Sequence, residues 1–93
     1  MLKVKVTPSA IHDIQNGIRY YNGKQKGLGR KFENKVNITF EKIKKTPESG
    51  SFIFEDIRYK VVERFPYIIV YALDNVNINV LRVFNTYQSV QNI

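Results

Sequence analysis

Residues 2–6, LKVKV, alternate apolar and basic side chains. That period of two predicts a short strand with one wet face. Thr7-Pro8 reads as a helix start: Thr7 can cap, and Pro8 suits the first helical position, where an N–H would have no partner. Ala10, Ile11, Ile14, Ile18 and Tyr21 follow at three- and four-residue spacings and share one helical face. Gly17 weakens that helix by about 1 kcal/mol relative to Ala, which a close helix–helix approach would explain. Asn22-Gly23 and the segment to Gly29 break the pattern. Phe32, Val36, Phe40 and Ile43 then mark a second amphipathic helix, ending before Thr46-Pro47 because the residue before Pro is pushed out of helical geometry. Lys42, Lys44 and Lys45 complement the negative end of its dipole. So short a connection predicts an antiparallel helical hairpin.

After Pro47 the pattern changes to strands. Ser51 to Glu55 is short and aromatic. In the next run Ile57, Tyr59 and Val61 point one way, and Arg58, Lys60, Val62 and Arg64 the other. Phe65-Pro66 makes a turn. Tyr67 to Leu73 is apolar on both faces, as a central strand of a covered sheet should be. Asp74-Asn75 signals a tight turn, and Val76 to Phe84 is the last strand. No repeat or linker interrupts the chain. The expected organisation is one α+β domain, residues 1–46 forming a strand plus helical hairpin, 47–86 the sheet and 87–93 a polar tail. The hairpin should pack on one face of a small, mainly antiparallel sheet, with the cations of residues 58–64 displayed on the other.

Composition narrows the partners. Fifteen Lys and Arg against eight Asp and Glu give a net charge of +7. This points to nucleic acid or an acidic protein segment, with simple solubility as the alternative. Without Cys there is neither a disulfide nor a thiolate zinc site, and the single His12 cannot assemble a metal site alone, so no metal or cofactor is expected. The start MLKVKVTPSA has no signal-like apolar core, and the run Tyr67–Leu73 is too short to cross a bilayer. A cytoplasmic protein without membrane contact is the expectation.

Two stretches, TPSAIHDIQNGIRYYNGKQKGLGRKFENKV and EDIRYKVVERFPYIIVYALDNVNINVLRVFNT, resemble the RelE/ParE superfamily of bacterial type II toxin–antitoxin systems. The markers are the adjacent Tyr20 and Tyr21, Gly27-Leu28-Gly29 ahead of Phe32, and an Arg before Phe65-Pro66-Tyr67. The likeness runs from Lys3 to about Thr86. It implies a β-α-α-β-β-β fold, with a fourth strand after the hairpin where the pattern allows one. It also implies a cognate antitoxin that wraps the toxin, with operator DNA reached only through that antitoxin. RelE-like members cleave mRNA in the ribosome; ParE-like members inhibit DNA gyrase and do no chemistry. A module that binds its antitoxin but has lost toxicity is a third reading.

RNA cleavage through the 2′-hydroxyl needs a base, an acid and cations on the phosphate. Arg58, Lys60 and Arg64 are the candidate cations, joined by Arg82 if the strands pair in register; a solvated strand face is the alternative. The resemblance places Asn85 where many members carry His, Gln88 where they carry Arg, and Val90 where they carry Pro. Ile68 stands where RelE-like nucleases tend to carry a basic residue. Asn cannot exchange a proton near neutral pH, and Gln cannot neutralise a phosphate. Tyr87 remains as a proton donor if cations lower its pKa. Glu63 could act as a base, but strand parity places it on the apolar side or at an edge; His12 reads as a surface residue of the first helix. If the chain is an enzyme, it is a metal-independent endoribonuclease; a binding inhibitor of gyrase survives these losses more easily. Phe32, Phe40, Phe52, Phe54, Phe65, Tyr67, Tyr71 and Phe84 are expected in the core. Tyr20 and Tyr21 are adjacent on a helix, so one should pack on the sheet and the other is free for a partner.

Overall fold

Thr7 begins the first helix in the expected way. Its Oγ1 accepts the Ala10 N–H at 3.1 Å and donates to the Leu81 carbonyl at 2.9 Å, so one hydroxyl caps the helix and ties it to the last strand. In the computed structural model, which describes residues 2–87, β1 (Lys3–Val6) is followed by α1 (Pro8–Lys24) and α2 (Leu28–Lys45). A 3-10 turn over Pro47–Ser49 leads to β2 (Ser51–Phe54), β3 (Ile57–Val62), β4 (Tyr67–Leu73) and β5 (Asn77–Asn85). α1 continues through Asn22-Gly23 rather than breaking there. The Asn22 side chain is used instead to accept the Gly29 N–H at 2.9 Å, capping α2 across the connection. Gly27, just before α2, has φ 85, a backbone state that favours glycine.

The strands form one sheet in the order β1-β5-β4-β3-β2. β1 lies parallel to β5, and all other neighbours are antiparallel. The mixed, mainly antiparallel sheet carries both helices on one face, as the pattern predicts. That face is sealed by Ala10, Phe32, Val36 and Ile43 from the helices over Val62, Ile69, Tyr71, Ile78 and Val80. Tyr21, Phe32, Phe65 and Tyr67 join there with ring centroids 4.7–6.2 Å apart. β4 sits in the middle of the order and is buried on both faces from Tyr67 to Tyr71.

Gly17 has the close approach its position suggested. A Cβ there would lie 2.5 Å from the Phe32 ring, so the hairpin closes only because residue 17 has no side chain. Two expectations are corrected. Phe52 and Phe54 are not core residues: they are 59% and 63% exposed on the edge strand β2, which has no neighbour beyond it among the described residues. Nor does the sheet turn a cationic face away from the helices. Ile68, Val70 and Phe84 cluster on that far face with Ile53, Ile57, Tyr59 and Leu81. Val62 is fully buried under the helices, and a period of two places Arg58 and Lys60 on its side of β3.

Two substitutions in α1 separate packing from propensity. Gly17→Ala overpacks the hairpin and should lower stability by about 1–3 kcal/mol, whereas Gly23→Ala meets open space and should raise it by about 0.5–1 kcal/mol. Denaturant unfolding of both variants checks the sign.

The β4–β5 turn carries a pH signature. The Asp74 carboxylate accepts from the Asn79 side chain at 2.9 Å and from the Val76 and Asn77 N–H groups at 2.8 and 2.6 Å. These bonds, the Asn79 one first, pull its pKa from 3.8 down to about 2. The folded pKa lies below the unfolded one, so this stabilisation is complete above about pH 4 and lost as pH falls through about 2. Asp74→Asn should flatten that part of an acid-unfolding curve and leave the rest of the curve in place.

Candidate partner-binding groove

The five residues expected to form one site are brought to three separate places. Arg58 and Lys60 stand at the start of β3 and hold the crossover between the helices and the sheet. Arg58 Nη1 donates to the Glu48 carbonyl at 2.7 Å and the Gly50 carbonyl at 3.1 Å, and its guanidinium lies 4.1 Å from the Phe52 ring centroid. Lys60 Nζ donates to Ser49 Oγ at 2.9 Å. The buried Tyr71 hydroxyl completes the anchorage, donating to the Pro47 carbonyl at 2.7 Å and accepting the Gly50 N–H at 3.1 Å. Burial raises the Tyr71 pKa above its ordinary value, which keeps this hydroxyl protonated as the Pro47 bond requires.

Arg82 is elsewhere, clamped on α1. Its Nε and Nη2 donate to the two carboxylate oxygens of Asp13 at 2.7 and 3.0 Å, and Asp13 also accepts the Val83 N–H at 3.0 Å. The reason is geometric: β1 pairs with β5 only as far as Val80, so the exposed edge of β5 beyond it needs another partner. The Asp13 bond is the main cause holding the Arg82 pKa above its ordinary value. The clamp leaves this cation neutralised rather than free for a phosphate.

Arg64 and Tyr87 lie at the opposite end of the sheet from Arg58. β3 ends at Val62, opposite Tyr67, which in turn pairs with Asn85. Arg64 has left the strand for the turn into β4, with φ 71, a strained state for a residue with a Cβ. The separation of Arg58 from Arg64 along the chain is roughly 20 Å if extended. Tyr87 is 86% exposed just past β5. Asn85 uses its side chain locally, accepting the Tyr87 N–H at 2.9 Å, and burial raises the pKa of the neighbouring Tyr67 above its ordinary value. Ile68 is buried in the far-face cluster, where a basic side chain would be desolvated. Glu63 is exposed and pairs with Lys42 at 3.8 Å. Gln88 and Val90 lie outside the described residues.

His12 is exposed, as expected of a surface residue, and lines a polar recess of about 540 Å³ with Asn16, Tyr20, Tyr67, Arg82 and Asn85. Among the described residues no cluster of His, Asp and Glu could hold a metal ion. No described helix is long and apolar enough to cross a membrane.

The strongest unassigned surface lies between α2 and the β3–β4 turn. A groove of about 730 Å³ is lined by Tyr21, Leu28, Phe65 and Pro66 at its base and by Lys31, Lys35, Ile38 and Arg64 around it. No carboxylate lines it, and none of its three cations forms an ion pair among the described residues. Ile38 is 46% exposed at its rim. No motif marks Lys31, Lys35 and Ile38 in the sequence; the available signal is their spacing, which puts them on one stripe of α2 beside the buried stripe of Phe32, Val36 and Ile43. Tyr21 packs inward while Tyr20 stays exposed, as their adjacency predicts.

If Arg82 is structural, Asp13→Ala should destabilise the fold by about 1–3 kcal/mol, because it strands the Val83 N–H and leaves the guanidinium unpaired. Arg82→Met, which keeps the stem but leaves the more buried Asp13 carboxylate without its cation, should also destabilise the fold in the same unfolding assay.

Comparison with known proteins places this geometry in a family. No curated protein sequence matches the chain. A solved structure of the chromosomal ParDE toxin–antitoxin system from P. aeruginosa superposes with a TM-score of 0.82 at 17% identity, covering 91% of this chain and 96% of that one. The structure of the YoeB dimer from Staphylococcus aureus is similar at a TM-score of 0.60 and 16% identity, covering 88% of this chain and 93% of that one. These identities establish the two-helix, five-strand fold alone. The family model for the ParE toxin of the type II toxin–antitoxin system parDE matches residues 4–89, and on that match the chain belongs to the ParE toxin family, within the RelE/ParE superfamily.

Proposed function

We propose that this toxin arrests growth by binding DNA gyrase, and that its cognate antitoxin neutralises it by laying an acidic, partly apolar segment along the α2 groove. The observation that carries the first half is the dispersal of the candidate residues. Acid–base cleavage of RNA requires its base, its acid and its phosphate cations within hydrogen-bond reach of one substrate. Here Arg58 and Lys60 are bonded to the crossover, Arg82 to Asp13, and Arg64 stands at the far end of β3. Gyrase inhibition needs a surface and no chemistry, so this arrangement is compatible with it. The second half rests on charge and shape. Three cations without an ion pair among the described residues, set around an apolar floor, suit carboxylates flanking a hydrophobic anchor, a pattern a helix or extended segment can present. An apolar floor suits a peptide better than a phosphate backbone.

One observation favours the mRNA interferase reading. His12 lines the same recess as Asn85, so an imidazole lies near the position where the resemblance implied one. Supercoiling by purified gyrase and mRNA integrity in a translating extract, each with added toxin, decide between the readings. We expect inhibited supercoiling with intact mRNA, and His12→Ala should retain full toxicity. Cleaved mRNA together with loss of toxicity in His12→Ala would reverse the assignment. For the antitoxin, reversing Lys31 and Lys35 to Glu should weaken the complex by at least about a hundredfold, since two attractive contacts become repulsive. Arg64→Gly should also weaken it while leaving the toxin at least as stable, because Gly relieves the positive φ. Calorimetry of the toxin–antitoxin pair measures both.

A further inference from the structure

The two outer strands of the sheet differ in a way that neither the antitoxin nor the target explains. β1 carries Lys3 and Lys5, both exposed, and edge lysines are a common guard against unwanted pairing. β2 reads Ser51-Phe52-Ile53-Phe54 and carries no charge at all. Its outer edge has no strand beside it among the described residues, and its two phenylalanines are the large exposed side chains reported above. An uncharged aromatic edge is a ready template for strand addition.

The charges at its ends say which strand. β2 pairs antiparallel with β3, so Ser51 lies opposite Tyr59, and Arg58 and Lys60 gather at the N-terminal end of β2. Both are fixed there by their bonds to residues 48–50, beside one exposed acid, Glu48. The C-terminal end of β2 runs into a turn made by Glu55 and Asp56, both exposed and without ion pairs among the described residues. The edge is therefore net positive at one end and negative at the other. A strand with this polarity is complementary to its own antiparallel copy. With the two-fold axis at Phe52, at Ile53 or between them, Glu55 of one copy faces residues 49–51 of the other, where Lys60 is anchored.

We propose that the protein self-associates through β2, two copies pairing these edges antiparallel about a two-fold axis so that the sheet runs on from one to the other. The aromatic rings pack across the joint, and the Glu55 and Lys60 side chains meet twice by symmetry. Four strand residues per copy make a contact well below the roughly 1,600 Å² of a standard stable interface, so the dimer is weak and forms with rising concentration. The proposal does not rest on the gyrase or antitoxin assignments, because β2 is outside both the α2 groove and the His12 recess.

Sedimentation velocity of the isolated full chain over a wide concentration range tests it. The expected result is a monomer–dimer equilibrium whose association constant falls at least about tenfold in Phe54→Lys, as one lost packing contact would give. Glu55→Lys alone and Lys60→Glu alone should each weaken the dimer, and the double variant should restore it, because the symmetric pair is then re-formed with its signs exchanged. Melting curves confirm that each variant is folded. A chain that stays monomeric throughout overturns the proposal, including the case in which β2 accepts a strand from some other protein. A dimer indifferent to Phe54→Lys, or single charge reversals that the double variant does not rescue, would overturn it equally.

Discussion

Phe32 occupies space that any side chain at residue 17 would fill, and much of the molecule follows from that contact. With Gly17 against the ring, α1 and α2 approach closely enough for Phe32 to reach through to Phe65 and Tyr67, at ring-centroid distances of 5.3 and 4.7 Å. Those two aromatics bracket Pro66 at the end of the β3–β4 turn. The aromatic cluster thus sets the height of that turn beside α2, and the turn forms one wall of the groove. Gly29 keeps the same hairpin tight one turn nearer its connection, where a Cβ would lie 2.5 Å from the Ile18 carbonyl oxygen. The toxin's candidate partner surface is in this sense a by-product of close helix packing. It has a rigid floor because the residues beneath it are core residues.

The cations divide by what they are bonded to. A basic protein invites the assumption that its arginines face a ligand. Here Arg58, Lys60 and Arg82 serve the fold instead, satisfying carbonyls at the crossover and closing the unpaired part of β5 through Asp13. Buried or half-buried backbone groups without partners would otherwise destabilise both places. Hydrogen bonding to a neutral group does not cancel a charge, so Arg58 and Lys60, unlike Arg82, still contribute to the long-range field of this basic protein. They are less free for direct contact, which falls to Lys31, Lys35 and Arg64.

The order and kind of the elements were legible because their periods are strong: three- and four-residue spacing in both helices, alternation in β1 and β3, and a continuous apolar run in β4. Thr7, Gly17 and Pro47 carried their structural meaning openly. The side of the sheet was harder. Alternation groups Arg58 with Lys60 and Val62 but does not say which group the helices cover. Val62 was the available cue, because the only apolar residue of that trio requires a core. Phe52 and Phe54 depart from the expectation because aromatic content does not by itself imply burial, and an edge strand can expose its rings. The residues that build the groove were not legible as one site. The groove arises from residues 31–38 meeting residues 64–66, a long-range contact that no local period encodes.

A toxin that acts by occupying its target can carry such substitutions as Asn85 and Ile68 without losing its means of action, because its function depends on shape and charge spread over a surface. A nuclease is more sensitive to them, because losing one positioned acid or base costs about 10²–10⁴-fold in rate. The fold accommodates both strategies, which is why its likeness to other structures leaves the target open. What supports the binding reading proposed above is the way the polar side chains of this chain are used. Each of the candidate cations on the strands is already engaged by a neighbour, as Arg58, Lys60 and Arg82 are, or stands at a different end of the sheet, as Arg64 does. Lys31, Lys35 and Arg64 are instead arranged around an apolar floor, where the proposed partner segment would find them.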